Sequence, residues 1–171
     1  MAQSLADFLT YVKVKRPVEV SINHTKFFPS VRGVEYKLIR SGGLRTLTCI
    51  GYFVALLEAS LSRPMNHPGL LMIDTVGKYL GKTKEKYAAE TSALDDQAEG
   101  ASDPGKYKAI FTYFVELEKT FEMKERSFQA ILVDNDIPAE IAESLRPFVA
   151  VHYSSIGENG LPVGFIDDAV R

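Results

Sequence analysis

The chain has 171 residues, of which 20 are Lys or Arg, 22 are Asp or Glu, and 46% are hydrophobic. This length can bury the core of one globular domain, and a formal net charge of −2 argues against a dedicated nucleic-acid binder. One cysteine and three histidines exclude an internal disulfide and a Cys/His zinc cluster.

The pattern of apolar residues predicts neither a secretory signal nor a membrane span. The N-terminal sequence has no apolar run of the kind that a secretory signal requires. No segment carries the roughly 18 consecutive apolar residues of a membrane span. We therefore expect no contact with a membrane, and the single cysteine favours a reducing, cytoplasmic compartment.

The first predicted elements are a helix and a pair of strands. Apolar residues at helical spacing predict a helix over residues 2–12, which Pro17 is expected to end. Residues 18–22 and 33–39 are β-branched or apolar and are predicted to pair with each other as two strands.

A buried helix and an apolar strand are predicted next. Residues 44–61 are apolar on almost every side, which is typical of a helix at a domain centre. Gly51 inside this helix indicates close packing against another element. Residues 69–74 form a short apolar run that ends in an acid, as in a buried parallel strand.

The second half of the chain begins with an acidic stretch. Residues 84–106 predict a frayed helix and a mobile surface loop. Asp103 and Pro104 then start a further helix as N-cap and first-turn proline. The buried face of this helix is predicted at Tyr107, Ile110, Phe111, Phe114, Leu117 and Phe121. The remaining predicted elements are a strand over 128–135, a helix over 139–145, a strand over 147–155 and an edge strand over 161–167.

Strands that alternate with helices predict an α/β fold with a mixed, mainly parallel sheet flanked by helices. We expect a single lobe over residues 1–171. Its parts are an N-terminal helix and strand pair over 1–40, a helix and strand over 41–83, a mobile loop over 84–106, and the C-terminal strands over 107–171.

Polar residues at the carboxyl ends of two predicted strands are the first candidates for a ligand site. Asp74 follows one strand, and Asp134, Asn135 and Asp136 follow the other. Ligands of open parallel sheets bind at this edge, so the two strand ends are expected to share one crevice. An aspartate in this position suits a Walker B element that holds Mg²⁺, and it equally suits a simple loop cap.

Arg40, Ser41, Gly42 and Gly43 form a second candidate site, between a predicted strand and the long helix. Backbone N–H groups at a helix N-terminus bind anions, and glycines let a phosphate approach the backbone closely. The alternative is a glycine turn with Ser41 as N-cap, which is the better interpretation of these residues taken alone.

The order of these parts resembles the C-terminal lobe of the ATP-binding head in SMC/RecN-like members of the ABC ATPase superfamily, over about residues 18–168. RSGGLRTLTCIGYFVALLEASL is similar to the signature motif and its helix, and HPGLLMIDTVGKYLG is similar to Walker B with its loop. FQAILVDNDIP is similar to the strand that carries the switch residue, and GLPVGFIDDA to the tail of bacterial SMC-like ATPases.

The resemblance implies the C-terminal half of a P-loop ABC/SMC-like head, in which two heads hold ATP and Mg²⁺ between them. Ser41, Gly42 and Gly43, with Arg40 beside them, would bind the γ-phosphate of a nucleotide held by the opposing head. Asp74 would hold Mg²⁺ for the nucleotide bound to its own head.

Two positions depart from the family pattern. Thr75 stands where the catalytic glutamate usually follows the Walker B acid, and a threonine hydroxyl cannot act as a carboxylate base near neutral pH. Asn135 stands where a switch histidine is usual, and its amide offers only neutral hydrogen bonds. The resemblance therefore implies slow hydrolysis or a different catalytic acid.

A Walker A loop, G-x-x-x-x-G-K-[ST], occurs nowhere in the chain. The ATP site is therefore expected to need a Walker A-bearing lobe or chain, in a homo- or heterodimer of heads that docks on an exposed apolar sheet edge. The chain is expected to be a split gene product or a fragment of a longer ATPase. DNA is a candidate further partner, through Lys13, Lys15 and Arg16, and DNA repair, maintenance or defence are the implied processes.

Two other functions stay open. A self-sufficient NTPase or phosphotransferase would use residues 77–83 as a phosphate loop, although Gly77 and Gly81 are separated by three residues where four are required. A non-catalytic interaction module would keep the α/β lobe without nucleotide chemistry.

Overall fold

The computed structural model describes residues 1–77, 80, 93–101, 103–134, 143 and 145–151. The chain divides into two compact units, Met1–Pro138 and Ala139–Arg171. The helices of the first unit are α1 (Ala2–Tyr11), α2 (Gly42–Ser62), α3 (Ala93–Glu99) and α4 (Pro104–Glu122). Its strands are β1 (Ser21–Ile22), β2 (Pro29–Val31), β3 (Val34–Glu35), β4 (Leu70–Asp74) and β5 (Gln129–Val133).

Helices α1 and α2 pack closely at Gly51. A Cβ at this position would lie 2.5 Å from Phe8 Cδ1 and 2.8 Å from Leu5 Cδ1, so only glycine lets the two helices approach this far. Both of these α1 side chains are fully buried. The predicted buried helix and its close packing are therefore confirmed.

Helix α1 ends earlier than Pro17, which corrects the predicted stop. Lys13 adopts a left-handed conformation with φ of 58°. Its N–H donates to Thr10 O at 3.0 Å, and Val14 N–H donates to Leu9 O at 2.9 Å. This pair of bonds is a Schellman closure, so backbone hydrogen bonding ends the helix before the proline is reached.

The short N-terminal strands form a three-stranded antiparallel sheet in the order β1-β2-β3. The prediction that residues 18–22 and 33–39 pair with each other is wrong, because β2 lies between β1 and β3. Arg32 and Gly33, with φ of 55° and 69°, make the tight turn that returns the chain from β2 to β3. The predicted second strand also stops at Glu35, since Tyr36–Leu38 is a 3₁₀-helix.

Strands β4 and β5 form the parallel pair that the sequence predicts. Their register runs from Leu70 opposite Gln129 to Asp74 opposite Val133. With the antiparallel sheet, this pair makes the chain a mixed α/β protein. Apolar side chains of the pair reach the surface, and Met72 is 62% exposed.

Helix α4 begins as predicted, with the Asp103 carboxylate accepting a hydrogen bond from Gly105 N–H at 2.8 Å. The predicted inward positions are buried except Phe111, which is half-buried. Within residues 84–106, where the sequence predicts a frayed helix and a mobile loop, the described part contains the helix α3 (Ala93–Glu99). Residues 84–92 lie outside the described residues.

The second unit is described only over Glu143 and residues 145–151. Arg146–Phe148 is a 3₁₀-helix, so the strand predicted over 147–155 is wrong over its described residues. Pro147 in the first turn lacks an N–H for a strand ladder and fixes a φ that suits this helix. The predicted strand over 161–167 lies outside the described residues, as does most of the predicted helix over 139–145.

By length and hydropathy, α2 is the one helix within the described ranges that could cross a membrane. Half of its most apolar window is buried inside the protein, as in the core helix of a globular domain. This is weak evidence for a span, and the expected absence of membrane contact stays a prediction.

Candidate functional site

The first candidate site lies at the N-terminus of α2. Ser41 is the N-cap, and its Oγ accepts a hydrogen bond from Leu44 N–H at 2.9 Å. The serine is almost fully buried, with 4% of its surface exposed. The N-cap role that the sequence left open for Ser41 is therefore present, and the glycines Gly42 and Gly43 form the first turn of the helix.

The same helix end holds a carboxylate from elsewhere in the chain. Ser41 Oγ donates to Asp96 Oδ1 at 2.6 Å, and Gly43 N–H donates to the same oxygen at 2.9 Å. The positive end of the helix dipole favours this negative charge. Two of the three predicted phosphate-binding residues in Ser41–Gly43 thus bind one oxyanion oxygen, which here belongs to Asp96.

Arg40 does not join this cluster. It is exposed, and no hydrogen bond or ion pair connects its side chain to any residue that the structure describes. The neighbouring Arg45 instead donates from Nε and Nη2 to Ile39 O at 3.2 and 2.5 Å. Arg45, rather than Arg40, is therefore committed to holding the chain as it enters α2.

Helix α3, which carries Asp96, is fastened mainly by polar contacts. Arg32 makes a two-pronged ion pair with Glu99, at 2.6 and 2.9 Å, and this hydrogen bonding raises the pKa of the guanidinium. Lys15 Nζ donates to Ala98 O at 2.5 Å. The large apolar side chain of this helix, Leu94, is 80% exposed. Charge and hydrogen bonds, more than apolar burial, therefore position Asp96.

Sequence reasoning missed Asp96 because it assigned residues 84–106 to a frayed helix and loop. A local signal for α3 was nevertheless present. Asp95 and Asp96 lie in the first helical turn, and Gly100 follows the last one with φ of 63°. Acidic residues at the start and glycine just past the end are typical of a short helix.

The second candidate site lies at the carboxyl edge of the parallel pair. Asp74 is exposed at the end of β4, and its Oδ1 accepts a hydrogen bond from Thr75 Oγ1 at 2.8 Å. Asp134 follows β5 at the same edge, because the two strands are parallel and in register. The predicted meeting of the two strand ends is confirmed for Asp74 and Asp134, while Asn135 and Asp136 lie outside the described residues.

The Asp134 carboxylate accepts two hydrogen bonds that the sequence did not predict. Its Oδ2 accepts hydrogen bonds from Gly77 N–H at 2.5 Å and from Tyr107 Oη at 2.9 Å. The carboxylate therefore ties the loop after β4 to the buried ring of α4. Gly77 N–H, which begins the loop that a self-sufficient NTPase would use for phosphate, donates to this carboxylate. Lys82 and Thr83 lie outside the described residues.

The donor set at this edge fits Mg²⁺ only as part of a larger site. Within the described residues there is no group of three or more His, Cys, Asp or Glu side chains that could hold a metal ion. Mg²⁺ in nucleotide sites commonly uses one or two carboxylates, with phosphate oxygens and water completing the shell. Asp74 can supply such a carboxylate, so the residues suit Mg²⁺ that arrives with a nucleotide.

A cavity of about 310 Å³ lies away from both candidate sites. Its walls are the turn between α2 and β4 and the turn between α4 and β5. It therefore lies at the amino edge of the parallel pair, opposite the edge that the sequence favoured.

Comparisons of the chain with protein-family models, with curated protein sequences and with solved structures find no match. No relative therefore assigns a role to Ser41, Asp74 or any other residue of this chain.

Proposed function

We propose that this chain is the C-terminal lobe of an SMC-like ATPase head, the second half of a P-loop ABC/SMC-like fold. It supplies a signature motif, Ser41–Gly43, to MgATP held by a Walker A-bearing lobe or chain in a homo- or heterodimer of heads. The process served is DNA repair, maintenance or defence, with DNA as a further partner. One observation carries the proposal: Ser41 Oγ and Gly43 N–H converge on a single oxyanion oxygen.

A γ-phosphate oxygen would accept the same hydrogen bonds as the Asp96 carboxylate oxygen. Both are negatively charged acceptors, and both gain from the positive end of α2. The two donors can serve only one of them at this position. Asp96 is therefore a competitor of the nucleotide, and it must leave the helix end when the opposing head presents ATP.

The remaining residues take lesser roles in this proposal. Asp74 supplies one carboxylate to the Mg²⁺ that accompanies ATP, whose charge the ion offsets during phosphoryl transfer. Thr75 positions the Asp74 carboxylate through its hydroxyl and provides no general base. Asn135 offers a neutral hydrogen bond to the nucleotide, and Arg40 adds positive charge beside the signature residues.

A matched pair of variants tests the role of the signature residues. Ser41→Ala and Asp96→Ala both remove the bond between Ser41 Oγ and the Asp96 carboxylate. Only Ser41→Ala removes a donor to phosphate. Asp96→Ala instead frees both donors for the nucleotide.

The readout is affinity capture of a tagged chain from cells of its natural host, with MgATP or with EDTA. We expect a Walker A-bearing chain to associate only with MgATP, to be lost with Ser41→Ala, and to be retained or enriched with Asp96→Ala. If the two variants behave alike, the Ser41–Asp96 contact is structural and the proposed signature role is wrong.

A nucleotide titration tests the alternative that the chain binds nucleotide without a partner. Polarisation of a fluorescent ATP analogue with Mg²⁺ is expected to show no low-micromolar binding to the isolated chain. Binding that the variant Lys82→Ala/Thr83→Ala abolishes would instead establish residues 77–83 as a phosphate loop.

A non-catalytic interaction module is the second candidate function, and one observation favours it. The described donors best placed to hold phosphate, at Ser41, Gly43 and Gly77, all donate to carboxylates of the chain itself. A module of this kind would bind its partner equally well without ATP, and Ser41→Ala would not weaken that binding.

A further inference from the structure

The cavity at the amino edge of the parallel pair has walls that are fixed by hydrogen bonds. On one side, Gly69 N–H donates to His67 Nδ1 at 3.1 Å, and Gly69 O accepts from Gln129 N–H at 2.8 Å. Pro64 and Pro68 restrict the same turn. This wall is therefore held in place before any ligand binds.

The opposite wall is the turn that ends α4. Arg126 N–H donates to Phe121 O and Glu125 N–H donates to Glu122 O, both at 2.9 Å. Glu125 takes the left-handed conformation, with φ of 55°, so the turn is a Schellman closure. Glu125 and Arg126, the last two residues of this closure, line the cavity.

Two exposed arginines from distant parts of the chain line this cavity. Arg63 follows α2 and Arg126 follows α4, and both line it. Neither side chain makes a hydrogen bond or an ion pair with any residue in the described part of the chain. Arginines that merely cap helices donate to the terminal carbonyls. Here backbone N–H groups take that role, with Arg63 N–H bound to Ala59 O at 3.1 Å.

His67 adds an imidazole to the cavity lining. Its Nδ1 accepts the Gly69 N–H, so the neutral imidazole carries its proton on Nε2. The lining therefore combines His67 and one acidic residue, Glu125, with two arginines whose side chains have no hydrogen-bond or ion-pair partner among the described residues.

We propose that this cavity binds a small molecule that carries a phosphate monoester. A phosphate monoester has a charge between −1.5 and −2 near neutral pH, and two guanidiniums balance this charge. A ligand with a single carboxylate would need only one guanidinium. Glu125 cannot donate a hydrogen bond when ionised, so it selects a ligand with hydroxyl groups beside the phosphate. A volume of about 310 Å³ is at the lower end for ligand pockets and suits a small phosphorylated polyol. This inference is independent of the ATPase-lobe proposal.

The test is an amide NMR titration of the full chain at constant ionic strength with ribose 5-phosphate, inorganic phosphate and ribose. Ribose 5-phosphate is expected to shift the amides of residues 65–67, Gly69 and residues 125–127 in a saturable way. Inorganic phosphate should bind there more weakly, and ribose should not bind. Equal binding of ribose 5-phosphate and inorganic phosphate, or no localised shift with ribose 5-phosphate, would overturn the proposal.

Variants assign the effect to the two guanidiniums. Arg63→Gln and Arg126→Gln should each weaken binding of ribose 5-phosphate by about tenfold, through loss of charge-assisted hydrogen bonds. Arg16→Gln is the matched control, because Arg16 is also an exposed arginine of the first unit, its side chain has no partner among the described residues, and it does not line the cavity. The same spectra show whether each variant is folded. Unchanged affinity in both cavity variants would refute the site.

Discussion

The bond network of Asp96 allows a quantitative test of what holds the start of α2. Asp96→Ala leaves Ser41 Oγ and Gly43 N–H without their shared acceptor. Gly43 is buried, so water cannot fully replace the lost bond. The variant therefore exposes how much of the stability of α2 depends on this carboxylate.

The expected loss follows from the kind of bonds involved. Hydrogen bonds to charged groups contribute about 1.5–3 kcal/mol when well buried. Asp96 itself is half-buried, so we expect about 2 kcal/mol for the two bonds together, including the favourable helix-end charge. Asp96→Asn keeps an acceptor oxygen without the charge and should lose about half as much.

Urea denaturation followed by circular dichroism at pH 7 measures these losses. Asp95→Ala is the control, because it removes a neighbouring carboxylate in the same helical turn, whereas Ser41 and Gly43 donate to Asp96. We expect less than about 0.5 kcal/mol for this control. If Asp96→Ala and Asp95→Ala cost the same, the carboxylate does not hold the helix end, and the competition with phosphate has no basis.

Three further outcomes test the fold. Gly51→Ala should lower the free energy of unfolding, measured by urea denaturation, by about 1–2 kcal/mol, because overpacking against Phe8 outweighs the better helix propensity of alanine. An unchanged free energy would contradict the close packing. Glu125→Gly should raise the melting temperature, because glycine adopts the left-handed conformation of this residue without strain. Glu118→Gly, inside α4, should lower the melting temperature. Equal shifts would contradict the Schellman closure at the end of α4. Burial raises the pKa of the Tyr113 phenol. The folded protein therefore keeps a proton that the unfolded chain loses above pH 10, so stability should fall with rising pH there. Urea midpoints measured across this range should fall less steeply for Tyr113→Phe, and an unchanged slope would contradict the shift.

Local signals predicted the elements that depend on near neighbours. The apolar spacing of residues 2–12 and the Asp103–Pro104 start gave α1 and α4 to within a few residues. The apolar runs before Asp74 and Asp134 gave the parallel pair. Helix periodicity, caps and turns act over a few residues, so one sequence suffices to find them.

The same reasoning failed where a distant element decided the outcome. Residues 29–31 look like a loop around Pro29, and they became the central strand because both neighbouring strands pair with them. Proline is tolerated there as the first residue of the strand. The sequence predicts only a frayed helix and a loop around Asp96, because the stabilising partners of α3, Arg32 and Ser41, lie far away in sequence.

By itself, the sequence determined that this is a mixed α/β chain with a polar edge at Asp74 and Asp134 and a capped glycine turn at Ser41. Only the tertiary structure decided that Asp96 occupies that turn, across 55 positions of sequence, and that Asp134 holds Gly77 across 57. Such contacts depend on the path of the whole chain, which no local pattern records. For that reason, the sequence could predict an anion-binding helix end at Ser41–Gly43, but it could not predict that the Asp96 carboxylate binds there.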